Sequence, residues 1–243
     1  MTTALDSPAV TETLDALATS LLAPGTPALG ALEVRVLHQL GLALDREQAL
    51  GDEVGRQLGA TTCEAVETAR LAHPLIGLDA GFTRRSTTRR QRELKALIFS
   101  CHRREAATLE ALTREAPEQA FPLAALVGHD LGRRTGIALR EHAGDGGPQG
   151  VHEALAVLCL EGLPGQRSIT LLEDGPRAAC WVGSPSLREE AERQVGLDPT
   201  RARRIHSSWC AGLVKGLDPR VDYRESECAD GSGRRHELRL LTG

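Results

Sequence analysis

The sequence predicts an α+β fold, in which a helical N-terminal region is followed by a domain with an antiparallel sheet covered by helices. The first half of the chain carries apolar residues at helical spacing. Two stretches in the second half, 168–182 and 221–240, each combine strand-like residues with a central turn. From residue 117 the order is helix, helix, hairpin, helix, helix, hairpin, which is typical of an antiparallel sheet packed against helices.

The N-terminal part divides at its proline and glycine residues. Residues 1–28 are interpreted as a short helix and a linker that ends in the sequence APGTP. The region 29–116 is predicted to be helical, and its amphipathic faces are interpreted as surfaces for contact between two copies of the chain. The helices predicted in it span 29–44, 46–58, 62–72 and 83–116.

The longest predicted helix begins with the basic run TRRSTTRRQR. Five of its ten residues are arginine, but no aromatic residue lies among them, so the run is interpreted as a solvated helix face and not as a nucleic-acid-binding surface. Further along, Cys101 and His102 are adjacent and therefore point about 100° apart on a helix. We expect a buried thiol beside an exposed imidazole.

The segment 117–243 is predicted to form the domain that contains the sheet. It opens with a helix in which Gly128, Gly132 and Gly136 lie four residues apart, a small-residue face that lets a neighbouring element come close. The other predicted elements are helices over 151–162, 184–195 and 200–217, and strands over 168–172, 178–182, 221–228 and 236–240.

Composition and charge exclude several classes of protein. A formal charge of −4 and a pI near 6.1 give no general attraction to nucleic acid or to an anionic membrane. The first residues do not resemble a signal peptide, and no run of 18 apolar residues is present. Six unevenly spaced cysteines in a chain of 243 residues are typical of reduced thiols. We therefore expect a cytoplasmic, soluble protein.

The stretch RIHSSWCAGLVKGLDPRVDYRESECADGSGRRHELRL gathers two cysteines, two histidines and several carboxylates into one helix-then-hairpin segment. A hairpin around its glycine turn is expected to bring Cys228 and His236 towards each other, with Glu225 on the first strand and His206 on the preceding helix. A thiolate, a carboxylate and imidazoles are ligands that zinc prefers. The sequence thus predicts a zinc site at Glu225, Cys228, His236 and His206. The alternative is a buried thiol with two solvated histidines.

The same stretch resembles the end of a 4-vinyl reductase domain, and most of all the sensor domain of the phenol- and xylene-responsive sigma-54 activators. In that family a strand with Glu-x-x-Cys, a second Cys after a glycine turn, and a Cys on the preceding helix bind a structural zinc. Glu225 and Cys228 match this pattern, and His236 stands at the position of the second Cys. The helix Cys is absent, and His206 lies one turn beyond its position. The similarity covers about residues 117–240.

The resemblance implies a homodimeric sensor or carrier for a small apolar or aromatic molecule, which the family holds in a pocket between the sheet and its helices. Trp181 falls where the family has a Trp, and His129 and Tyr223 are expected by position to donate hydrogen bonds to the ligand. The chain lacks the phosphate loop and the helix-turn-helix of a complete activator, so it would signal through another protein.

The same fold also admits an enzyme, namely a metal- or cysteine-dependent hydrolase or lyase. Cys210 lies four residues after His206 on a predicted helix, a spacing that lets an imidazole activate a thiol. A zinc ion with three protein ligands would instead hold a water molecule that ionises near neutral pH. The sequence leaves open the choice between sensor and enzyme.

Overall fold

The computed structural model describes residues 30–78, 81–114, 117–144, 146–159, 169–183, 187–229 and 233–241. Within these ranges the chain combines seven α-helices with one antiparallel sheet of four strands, so the predicted α+β class is confirmed. The helix and linker predicted for 1–28 lie outside the described residues. None of the described helices has the length and the apolar character that crossing a membrane requires.

The elements are numbered in chain order. The helices are α1 (Ala31–Leu58), α2 (Ala60–Ala72), α3 (Thr87–Arg114), α4 (Pro117–Ala138), α5 (Gly147–Leu158), α6 (Leu187–Val195) and α7 (Pro199–Leu217). The strands are β1 (Ile169–Asp174), β2 (Ala178–Gly183), β3 (Val221–Glu227) and β4 (Arg234–Leu240).

The first described helix is longer than the sequence predicts. The helices predicted over 29–44 and 46–58 form one continuous helix, α1, of 28 residues. Asp45 does not interrupt it, because its side chain lies at the surface while the buried apolar stripe continues from Leu44 to Leu50. The predicted break is therefore wrong. One helix contacts α2, α3, α4 and α5 along its length.

A buried carboxylate holds the three N-terminal helices together. Glu47 of α1 is 1% exposed and accepts hydrogen bonds from Arg70 Nε of α2 at 2.9 Å and from Arg104 Nε of α3 at 3.1 Å. Thr108 Oγ1 of α3 donates a third hydrogen bond at 2.7 Å. A buried charge is stable only when it is paired and hydrogen-bonded in this way. The cluster thereby fixes the mutual positions of α1, α2 and α3.

Most of the basic run near the start of α3 is paired with acidic residues. Arg85 and Arg89 form ion pairs with Glu93, and Arg90 forms one with Glu33 of α1. Arg84, Arg89 and Arg92 are exposed, as expected of a solvated face, whereas the side chains of Arg85 and Arg90 are only 20% and 17% exposed.

Cys101 and His102 of α3 are each 1% exposed. The buried thiol is as expected, but the expectation of an exposed imidazole is wrong. The reason is that α6 packs along α3 and covers the side on which His102 lies.

The sheet has the strand order β1-β2-β4-β3, and every neighbouring pair is antiparallel. Both predicted hairpins are present, and pairing of β2 with β4 joins them. Alternate positions along a strand share a face. Trp181, Tyr223 and Leu238 consequently point to the same side and pack on α5 and α7. The opposite face carries charged side chains such as the ion-paired Glu237 and Arg239.

Helices α4 and α7 lie parallel to each other and in backbone contact. The contact is lined by glycines of both helices, namely Gly128, Gly132, Gly136, Gly212 and Gly216. Gly128 faces Ile205, Gly132 faces Trp209 and Gly136 faces Leu213. The residue numbers rise along both helices in the same order, so the helices run in the same direction. A Cβ atom at Gly132 would overlap the carbonyl oxygen of Trp209. The predicted close approach at a small-residue face is therefore confirmed.

Replacing Gly132 by alanine is expected to destabilise the protein. The added methyl group meets the backbone of α7, which cannot rotate away, and overpacking of this kind costs about 1–3 kcal/mol. The matched control is Gly128→Ala, where the new Cβ would lie 3.6 Å from its nearest neighbour, the carbonyl oxygen of Ile205. That variant should keep or slightly raise the free energy of unfolding, because alanine favours helix by about 1 kcal/mol. Urea unfolding measures both, and equal losses would contradict the close contact.

Candidate functional site

A small cavity lies between the inner face of the sheet and the helices α5 and α7. Its volume is about 20 Å³, which is room for a single water molecule. Aromatic, aliphatic and thiol side chains from both layers form its walls. Prominent among them are Trp181 of β2, Tyr223 of β3, His236 of β4, His152 of α5, Cys159 directly after α5, and Cys210 of α7.

Trp181 is the centre of a group of stacked rings. The register of the sheet places it directly opposite His236, and the two rings stack with centroids 5.1 Å apart and planes 11° apart. His152 of α5 contacts the same indole, with ring centroids 4.6 Å apart. Trp181 is only 5% exposed. The indole therefore forms an apolar wall with imidazoles beside it.

Tyr223 adds a polar group to the same cavity. Its Oη lies 3.0 Å from Nδ1 of His236 and 3.4 Å from Oε2 of Glu225. Glu225 in turn accepts a hydrogen bond from Arg234 Nη1 at 2.8 Å. Burial raises the pKa of Tyr223 well above its usual range. The cavity thus presents a neutral phenol hydroxyl to a bound molecule.

A second feature, which we call the Glu105 cluster, consists of Arg46, His102, Glu105, Arg188 and His206. Arg46 of α1 donates two hydrogen bonds of 2.9 Å to Glu105 of α3. Arg188 of α6 lies 3.8 Å from the same carboxylate and donates to His206 Nδ1 of α7 at 2.7 Å. Burial opposes the charged form of Glu105, but the two guanidinium groups outweigh it and hold its pKa well below the usual range. The cluster therefore joins four helices through one buried carboxylate.

Cys210 and His206 connect the Glu105 cluster to the cavity. The Cys210 sulfur lies 3.5 Å from His206 Nε2, so the predicted thiol–imidazole contact is present. Arginine has donors only, so Nδ1 of His206 must accept from Arg188, and the ring proton then sits on Nε2, facing the sulfur. An imidazole in this tautomer cannot take the proton of the thiol.

The pKa shifts of His206 and Cys210 also indicate that the imidazole does not deprotonate the thiol. Burial, followed by the guanidinium of Arg188, lowers the pKa of His206 well below its usual range. A hydrogen bond with Cys159, followed by burial, raises the pKa of Cys210 well above its usual range. A neutral imidazole beside a protonated thiol is the opposite of the activated pair that a cysteine nucleophile needs.

The hairpin brings Glu225 and His236 together but leaves Cys228 apart from them. Its register places His236 opposite Glu225, whereas Cys228 lies beyond the end of β3, where its amide donates to the carbonyl of Gly233 at 3.0 Å. Gly233 and His236 are three residues apart, which is about 10 Å along a strand. An odd separation also sends side chains to opposite faces of a sheet. Cys228 and His236 are therefore not positioned to share an ion.

The other two predicted ligands are engaged elsewhere. His206 contacts Arg188 through one ring nitrogen and Cys210 through the other, while Glu225 is ion-paired with Arg234. Within the part of the chain that the structure describes, no three His, Cys, Asp or Glu side chains are grouped so that they could hold a metal ion. The four residues do not fit a zinc ion in this arrangement, and the zinc site stays a prediction.

Of the three predicted ligand contacts, Trp181 and Tyr223 line the cavity and His129 does not. His129 lies on α4, where its carbonyl oxygen faces Gly212 in the helix contact. Sequence reasoning missed His152 and Cys159 in the cavity. It also missed the charged members of the Glu105 cluster, whose signal is a charged residue on an otherwise buried apolar helix face.

Comparison with known proteins gives no relative for this chain: no protein-family model, no curated protein and no solved structure matches it.

Replacing Cys228 by serine tests the zinc prediction. In the arrangement described, Cys228 is a half-buried thiol at a strand end, and the free energy of unfolding should change by less than about 0.5 kcal/mol. A structural zinc would make the loss several kcal/mol, because its binding energy is folding energy. Urea unfolding with and without a chelator distinguishes the two. A large loss, together with about one zinc per chain in elemental analysis, would support the site.

Glu192 of α6 is a buried carboxyl near the Glu105 cluster that contributes to the pH dependence of stability. It is 6% exposed, and burial raises its pKa to about 7 although the nearby Arg188 opposes the rise. The folded protein therefore holds a proton that the unfolded chain releases at lower pH. The contribution to stability is fully present below about pH 4.5 and is lost as the pH rises through about 7.

We expect Glu192→Gln to remove this loss of stability with rising pH. Between pH 5 and 8 the wild-type protein should lose up to about 3 kcal/mol relative to the variant, which has no carboxyl to ionise. Glu190→Gln is the matched control, because Glu190 lies on the exposed side of α6 in an ion pair with Arg193. Urea unfolding at several pH values provides the measurement. Parallel pH profiles for the wild type and Glu192→Gln would show that the carboxyl ionises as freely as in the unfolded chain.

Proposed function

We propose that the protein binds a small apolar or aromatic molecule in the cavity beside Trp181 and acts as a sensor or carrier. The observation that carries the proposal is the lining of the cavity, in which an indole wall and aliphatic side chains surround a few polar groups. Binding sites for small organic molecules have this composition, with polar groups that fix the orientation of the ligand.

The resemblance to the 4-vinyl reductase family supports the same proposal. It led us to expect ligand contacts from Trp181 and Tyr223 at a pocket between the sheet and its helices, and both residues line the cavity at that place. The Tyr223 hydroxyl and Nδ1 of His236, 3.0 Å apart, are the polar groups beside the indole that would orient a ligand hydroxyl. The homodimer that the resemblance implies stays a prediction.

Binding requires the cavity to widen. Its volume of about 20 Å³ is far smaller than the roughly 150 Å³ that admit benzene in an engineered protein cavity. The ligand must therefore move the end of α5 or the indole of Trp181. Ligand binding and a change of shape are thus the same event in this proposal, as a sensor requires.

Such a movement would be transmitted to α1. The last turn of α5 is tied to α1 because Gln39 Nε2 donates to the carbonyl oxygen of Cys159 at 3.1 Å and Arg35 Nη2 donates to that of Ala156. On the other side of the cavity, Cys210 contacts His206 and so the Glu105 cluster, which also includes α1. The same helix therefore contacts both walls that a ligand would push apart.

Catalysis by a cysteine is the weaker alternative. The thiol of Cys210 is protonated and its neighbouring imidazole has no free base nitrogen towards it, for the reasons given above. A binding function needs neither group to ionise.

Calorimetric titration with toluene and with phenol tests the proposal. We expect heat of binding with at least one of these probes, together with quenching or a shift of tryptophan fluorescence as Trp181 moves. Trp181→Phe should weaken binding by about 1 kcal/mol, roughly fivefold in Kd, because part of the apolar wall is lost.

Trp209→Phe is the matched control, because Trp209 packs behind the cavity under Arg46 and does not line it. This variant should keep the affinity of the wild type. If neither probe gives heat at millimolar concentration, or if the two variants weaken binding equally, the site beside Trp181 is not the binding site.

A further inference from the structure

We propose that Cys159 and Cys210 form a reversible disulfide across this cavity and that oxidation locks the site against its ligand. The two thiols come from different elements, one at the end of α5 and one in the middle of α7. Both line the cavity and pack in the same apolar cluster. The Cys159 thiol is also the largest influence on the pKa of the Cys210 thiol, which it raises through a hydrogen bond. This inference rests on the proposed function for its effect on binding, but not for the disulfide itself.

The placement of these two cysteines differs from that of the other four. All six cysteines are described and all are thiols. Cys63, Cys101, Cys180 and Cys228 are distributed over α2, α3, β2 and the end of β3. Cys159 is half-buried and so within reach of a small oxidant, whereas Cys210 is 4% exposed. An accessible thiol that reacts with the oxidant, next to a protected thiol that resolves the sulfenic acid, is the usual arrangement of a redox-sensing cysteine pair.

The oxidant in this proposal is a hydroperoxide. The Cys159 sulfur attacks the peroxide oxygen, the O–O bond breaks, and the products are a sulfenic acid on Cys159 and one molecule of water or alcohol. Oxidation of Cys159 removes the thiol whose hydrogen bond is the largest cause of the raised pKa of Cys210. The Cys210 sulfur then attacks the sulfur of the sulfenic acid, the S–S bond forms and the S–O bond breaks. The hydroxyl leaves as water with the thiol proton of Cys210. Both sulfurs are oxidised, the peroxide is reduced, and a low-molecular-weight thiol reverses the reaction.

The disulfide would prevent the widening of the cavity that ligand binding requires. A ligand has to widen a cavity of about 20 Å³. A covalent link between the end of α5 and α7 holds the two walls together, because a disulfide keeps its Cα atoms within about 7 Å. The oxidised protein is therefore expected to bind the ligand at least about tenfold more weakly than the reduced protein.

The experiment is oxidation of the full chain with hydrogen peroxide, alkylation with N-ethylmaleimide in denaturant so that buried thiols also react, tryptic digestion and mass spectrometry. We expect two of the six thiols to escape alkylation and a peptide pair linked through Cys159 and Cys210, which dithiothreitol releases. The link should be absent from both Cys159→Ser and Cys210→Ser. It should persist in the matched control Cys63→Ser, which removes a half-buried thiol of α2.

Six alkylated thiols after peroxide treatment, or links between other cysteines at equal yield, would overturn the disulfide. Titration with toluene is carried out on the same samples. An oxidised protein that carries the link but binds as tightly as the reduced one overturns the locking effect. A reduced protein that binds neither toluene nor phenol overturns the proposed function instead, whatever the mass spectrum shows.

Discussion

The contact between the backbones of α4 and α7 is the constraint on which the rest of the structure depends. Because glycines line it from both sides, α7 lies closer to its neighbour than side chains would allow. Its position then decides where Trp209 and Cys210 stand, and so where the cavity and the Glu105 cluster lie. A methyl group added at Gly132 would push α7 away and so displace both the cavity and the Glu105 cluster.

The Glu105 cluster is the second constraint on the structure, and it fixes the helices through buried ion pairs. Desolvating one carboxylate and two guanidinium groups costs several kcal/mol for each ion, which only good geometry repays. The bidentate pair of Arg46 and Glu105 supplies that geometry between residues 59 positions apart in the chain. Arg188 of α6, 3.8 Å from the same carboxylate and hydrogen-bonded to His206 of α7, extends the cluster beyond the boundary predicted at residue 116. The cluster thereby ties the N-terminal helices to the part of the chain that carries the sheet.

Features of the fold that depend on neighbouring residues could be predicted from the sequence, whereas contacts between distant residues could not. The end of α7 at Leu217 and the pairing of β3 with β4 follow from neighbouring residues, and both are present where the sequence predicts them. The register of that pairing could not be predicted in the same way. A spacing of eight residues between Cys228 and His236 fits several registers, and the observed one puts Glu225 opposite His236. Cys159 could not be assigned to the cavity from sequence, since its partner Cys210 comes from a distant element.

The parallel direction of α4 and α7 has an electrical consequence. Two helix dipoles aligned side by side repel each other, and their positive ends lie together, as do their negative ends. The charges at both ends compensate for this. Glu118 lies in the first turn of α4 and Asp198 caps α7, whereas Arg140 donates to the carbonyl oxygen of Gly216 at the other end, at 3.1 Å. The tightest packing in the molecule is thus maintained against a repulsion that an antiparallel pair of helices would not have.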